Sequence, residues 1–181
     1  MTLPELVEML WNELQAVRAD VLREVEGLSQ RQADWKPTEK DWSVGEVVDH
    51  LTIAEVATGK LTTKLLKEAA AGGAPAVFPH DMTELAAPPD FPPGPMEAPP
   101  VVWPGHGKPI GELLAAMKAA RERSQQSVEK LAFCDPRKLV FRHFRLGDLD
   151  LGQWWRLQAR HDGVHLAQIR TIKANPAFPT P

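Results

Sequence analysis

Residues 154–169 read WWRLQARHDGVHLAQI, and they lie in the middle of the chain's best-patterned segment. Continued to Ile172, the positions Trp154, Gln158, His161, His165, Gln168 and Ile172 recur in alternating steps of four and three. That is the period of one amphipathic helix, and the spacing predicts that this stripe faces the core. Asp150 is placed to cap it, with Gln153 at the third position and Leu149 and Trp154 as a hydrophobic staple. Asn175-Pro176 ends it. Consecutive rungs put His161 and His165 about 6 Å apart along the axis and roughly 40° apart around it, so both rings can reach one point.

Three further helices follow from the same reasoning. Leu6, Leu10, Leu14, Val17, Val21 and Val25 mark a first helix over about residues 4–27, with Gly27 as a stop. Ser43-Val44-Gly45-Glu46 reads as a capping box, with Trp42 and Val47 as its staple. From there Val44, Val47, Leu51, Ala54, Leu61 and Leu65 carry a second helix to about residue 70. Pro109 suits a first helical position, and it opens a third helix along Leu113, Met117, Ala120, Ser124, Val128 and Leu131. The small Ala120 and Ser124 leave room for a pocket, or let another helix approach closely.

Between Ala71 and Pro109 lie 11 of the 17 prolines, which excludes regular helix and central strand. Residues 71–108 are therefore expected to form a long irregular crossover, a partly ordered cover with Phe78, Phe91 and Trp103 as anchors. The segment LVFRHFRLGDLD, residues 139–150, mixes β-formers with a Gly-Asp turn and is expected to run extended. Four amphipathic helices without a convincing set of strands predict an all-α, antiparallel four-helix bundle. At 181 residues the expectation is one domain.

Composition removes several classes of function. With 24 acidic against 21 basic residues, the net charge of -3 carries no footprint for a phosphate backbone, so nucleic-acid binding is not expected. No run approaches the roughly 18 apolar residues of a membrane span, and the acidic, amphipathic start lacks the form of a signal peptide. A cytoplasmic location is expected, in keeping with the single Cys134, which reads as a small packing residue.

Two neutral imidazoles side by side on one inward stripe strand ring donors or acceptors at roughly 1–3 kcal/mol each. A divalent metal removes that cost; alternatively, Gln158, Gln168 or backbone groups satisfy two core histidines. A metal needs a third ligand, and His50, flanked by Val47 and Ala54 on the apolar side of the second helix, is the strongest choice. His80, His106 and His143 fall in the crossover and the extended segment, where solvated histidine is the commoner state. Zinc and nickel suit imidazole ligands best, with iron or manganese also able to accept them.

The wording WSVGEVVDHL at residues 42–51, together with WWRLQARHDGVHLAQI, resembles the DinB superfamily, and more narrowly its YfiT-like members. The helix order and the long connection between the second and third helices agree with that resemblance. It implies a divalent metal held by His50, His161 and His165, and a homodimer. The proline-rich crossover is this sequence's own elaboration.

The metal-ligand set leads to an expected metal-dependent hydrolase, using a metal-activated water on an unknown small molecule. One alternative is an S-transferase that takes a low-molecular-weight thiol such as bacillithiol or mycothiol as a metal-held thiolate, the mode the resemblance implies for related members. Another is a non-catalytic, stress-response metal-binding module. No general base stands out. Glu46 belongs to a cap, Asp49 and Asp162 are placed toward other helix faces, and Glu55 lies five residues from His50.

Overall fold

The computed structural model describes residues 2–73, 77–93 and 97–181. Parts of the crossover, residues 74–76 and 94–96, thus lie outside the described residues. The helices are α1 (Glu5–Val25), the short α2 (Gln30–Asp34), α3 (Val44–Ala71), α4 (Ile110–Glu129) and α5 (Leu151–Lys173). The hairpin strands β1 (Val140–His143) and β2 (Gly147–Asp150) precede α5. Among the described residues no helix is long and apolar enough to cross a membrane.

The expected starts of α3 and α5 are where local chemistry places them. Ser43 Oγ accepts from Glu46 N at 3.2 Å while Ser43 N donates to Glu46 Oε2 at 2.7 Å. Asp150 and Gln153 repeat the exchange at 2.8 and 3.0 Å. Each box satisfies amides that the first helical turn leaves orphaned. Ser29 and Gln32 make a third such box, on α2, which the apolar periodicity does not signal because the helix has only five residues.

The long helices form a four-helix bundle in which α1 packs beside α5 and α4, and α3 beside α4 and α5. Ion pairs reveal their directions. Glu13 with Arg156, Arg18 with Asp162 and Glu24 with Lys173 advance together, so α1 and α5 run the same way. Glu55 with Arg121 and Gly59 against Ser127 place α3 and α4 in one direction as well. Thr62 with Trp155 and His50 with His161 run in opposite order, so the antiparallel neighbours are α3 with α5 and, by consequence, α1 with α4. A parallel α3–α4 pair cannot be joined by a tight turn, and the crossover has to return the full length of the bundle.

That crossover is held by α5. Proline-rich backbone lacks many N–H groups and offers its carbonyls, and these take donors from one face of the helix. Gln153 donates to Ala87 O at 3.0 Å, Arg156 to Leu85 O at 2.7 Å, and Arg160 to Pro88 O at 3.3 Å and Pro89 O at 2.6 Å. Of the expected anchors, Phe78 is buried and Phe91 lies under the Arg160 guanidinium, 4.7 Å from its ring centre. Trp103 is 54% exposed, its ring nearly perpendicular to that of Trp42. The hairpin pairs Val140 with Asp150 and His143 with Gly147, so its turn is Phe144–Leu146 rather than the expected Gly-Asp. Gly147 takes φ of 76°, a conformation that suits glycine.

Candidate metal centre

Helix α5 is rotated from the expected orientation. Its fully inward positions are Leu151, Trp155, Gln158, Asp162, Leu166, Ile169 and Ile172, while Trp154, His161, His165 and Gln168 are half-buried along the adjoining flank. The histidine stripe therefore lines a cavity beside the core instead of the core itself. His50, buried on α3, faces it from across the antiparallel pair.

The three rings converge. His161 Nε2 lies 3.0 Å from His50 Nε2 and 3.1 Å from His165 Nε2. One ligand atom from each residue falls within 4.8 Å of the others. The outer nitrogens are already engaged. His50 Nδ1 donates to Val102 O at 2.8 Å, and His165 Nδ1 donates to Gln168 Oε1 at 2.6 Å. A neutral imidazole carries one proton, so both of these rings present bare Nε2 lone pairs to His161. His161 Nε2 can offer a proton to only one of them.

Extra protons do not resolve the conflict. Burial first, then His165, His50 and Arg18, hold His161 well below the usual histidine range. Burial, with His50 next, lowers His165 to about 4. His50 is lowered by burial against the opposing bond to Val102. The donor set instead suits a divalent cation: two imidazole nitrogens each about 2.1 Å from one ion, at about 90–110°, stand about 3.0–3.4 Å apart.

Around the cluster, Trp42 covers one side, with its ring 4.8 Å from that of His50 and stacked at 6.2 Å on His165. On the other side opens a cavity of about 550 Å³. Ala54, Ala57 and Thr58 of α3 are small enough to leave it; Leu61, Leu157, Trp154 and the hairpin's Phe141 and Phe144 wall it with apolar surface. No α4 residue lines it. Ala120 and Ser124 are buried, and the close approach of α4 to α3, seen where Ser127 Oγ lies 3.6 Å from a Cβ built on Gly59, accounts for small residues there.

His143 departs from its expected solvated state: it is buried at the cavity wall, its Nδ1 accepting from Arg145 N and Leu146 N at 3.2 and 3.1 Å. His80 and His106 are exposed, as expected. Cys134 is buried, and desolvation followed by Asp135 pushes its thiol up to about 11, in keeping with a packing role.

The carboxylates are committed elsewhere. Asp49 Oδ2 accepts from Gly105 N at 2.8 Å and Lys108 Nζ at 2.7 Å, which ties the crossover to α3 one residue from His50. Glu55 and Asp162 belong to a buried quartet with Arg18 and Arg121. Arg18 grips Asp162 with two bonds of 2.9 Å, and Arg121 reaches the same carboxylate at 3.1 Å. Arg18 Nη1 and Arg121 Nε approach Glu55 at 2.9 Å each, although neither N–H is aimed squarely at its oxygen. Burial disfavours both guanidinium charges; Asp162 and Glu55 outweigh it at Arg18, whose pKa rises, whereas the added repulsion from Arg18 leaves that of Arg121 lowered.

The family model of the DinB superfamily matches residues 13–169, most of the chain. This chain belongs to the DinB superfamily. Among curated proteins it is similar to the uncharacterized protein YuaE of Bacillus subtilis (strain 168), 26% identical over 160 residues, covering 86% of this chain and 92% of that protein. Among solved structures it resembles TT2238, a four-helix bundle protein, with a TM-score of 0.63 at 19% identity, covering 91% of this chain and 98% of that one. That likeness concerns the fold.

Proposed function

We propose that this DinB-superfamily protein is a metal-dependent enzyme of the YfiT-like kind, in which His50, His161 and His165 hold one divalent ion, zinc or nickel before iron or manganese. The observation that carries the reading is the meeting of three Nε2 atoms, two of them stripped of their protons by Val102 and Gln168. A dipositive ion bound by neutral imidazoles supplies Lewis acidity, enough to bring a ligated water toward a pKa of about 7 or to hold a thiol as thiolate. The protein's part is to orient the rings, to exclude bulk water with Trp42 and the crossover, and to seat a small molecule in the cavity.

Hydrolysis of that molecule is the leading reaction. Thiol transfer is a second reading, favoured by the cavity's scarcity of carboxylates: of the described lining residues Glu97 is the only one, and it is exposed. A thiolate nucleophile needs no separate base. The homodimer that superfamily membership leads one to expect belongs to the proposal too; light scattering on purified protein decides it.

The decisive experiment compares metal content by elemental analysis in wild type and His161→Ala, then offers electrophiles with and without a small thiol. Wild type is expected to hold one ion per chain and the variant to lose it. Thiol-dependent product identifies a transferase and thiol-independent cleavage a hydrolase. Equal metal in both proteins would remove the site, and metal without any turnover would leave a binding module.

A further inference from the structure

One buried amide lining the cavity has an N–H group that serves neither the fold nor the histidine cluster. Gln158 is 4% exposed and lies on α5 one turn before His161, among the residues that line the cavity. Its Oε1 accepts from Thr58 Oγ1 at 3.4 Å, a hydroxyl shared with Ala54 O at 3.2 Å. Its Nε2 has no partner among the described residues. A buried amide donor left unpaired is destabilising, a cost that a leucine or methionine at that position avoids.

The surroundings define what would satisfy it. Leu61, Trp154, Leu157, Phe141 and Phe144 give the cavity an apolar interior, and its volume of about 550 Å³ fits a drug-sized body. Inside that surface, a fixed N–H donor selects an oxygen acceptor and discriminates against a group that only donates.

We propose that Gln158 is the substrate-docking residue of this cavity, its Nε2–H binding the carbonyl oxygen of a predominantly apolar small molecule. The proposal rests on the reading of the cavity as the substrate side of the histidine centre, but the contact itself requires no metal.

The test uses three probes with one apolar body: 4-phenylbutyramide, 4-phenylbutyrate and 4-phenylbutylamine. Each is titrated calorimetrically into full-length wild type and Gln158→Met, with zinc and after removal of metal by a chelator. The carbonyl-bearing amide and acid are expected to bind wild type more tightly than the amine, in metal-free protein as well. Gln158→Met is expected to weaken the amide by roughly tenfold, the range of one lost hydrogen bond, and to leave the amine unchanged. Metal stoichiometry of Gln158→Met should equal that of wild type, and its circular dichroism melt reports on folding. Gln158→Glu, which keeps the shape but loses the donor, guards against a packing effect and should lose the preference for the amide too. Equal affinity for amide and amine in wild type, or an unchanged preference in both variants, would overturn the proposal. Absence of metal from wild type, with the Gln158-dependent preference intact, would instead sink the metal reading alone.

Discussion

Gln168 sets the tautomer of His165: its Oε1 accepts from Nδ1–H at 2.6 Å, which keeps the proton on Nδ1 and leaves Nε2 as a lone pair aimed at His161. Such outer partners hold ring tautomer and angle, and losing one typically costs 10–100-fold in metal affinity. Gln168→Leu is therefore expected to weaken zinc binding by about that factor in a chelator competition, with the fold intact. Affinity equal to wild type would show that His165 needs no orienting partner. The sequence offered Gln168, with Gln158 and backbone groups, as a partner able to satisfy a core histidine; that Gln168 serves His165 was not legible, because an i to i+3 neighbour can face a ring or solvent equally well. The partner of His50 was hidden altogether. Val102 O is a backbone atom 52 residues away, and no side-chain pattern announces it.

At the scale of the element, the crossover acts as part of the site. Asp49 fastens Gly105 and Lys108 to α3, and the same segment delivers Val102 O to His50. Asp49→Ala is expected to raise amide hydrogen exchange across residues 102–108 and to lower zinc affinity several-fold, as the carbonyl that orients His50 loses its anchor. Unaltered exchange there would mean that the donors from Gln153, Arg156 and Arg160 suffice to hold the crossover. The prolines made its irregularity legible. Its course was not, since no local pattern tells which helix will supply donors to its carbonyls.

For the whole molecule, the buried quartet ties together all four long helices: Arg18 from α1, Glu55 from α3, Arg121 from α4 and Asp162 from α5. Two positive and two negative charges balance out of contact with solvent, with side chains at most 7% exposed, and removing one leaves its partners uncompensated. Asp162→Asn is expected to destabilise the protein by about 3–5 kcal/mol, read as a fall in the urea midpoint at constant slope. A loss near zero would show that the arginines find other acceptors or water. Asp162 also follows His161 directly in the chain, so the network fixes the azimuth of α5 and with it the direction of the metal-facing flank.

The sequence by itself determined the four long helices, the capped starts of α3 and α5, the irregular crossover and the three histidines worth pairing, because caps and hydrophobic periods are local physics written within a few residues. Tertiary structure alone decided the rotation of α5. The periodicity of Trp154, Gln158, His161 and His165 fits a stripe on either of two adjoining faces, and what selects between them is the ion quartet, whose four members are spread over residues 18–162. Charges so far apart read as solvated until folding brings them together. The cavity has the same origin, for it is the space left when small residues on α3 meet a flank of α5 that carries imidazoles rather than leucines.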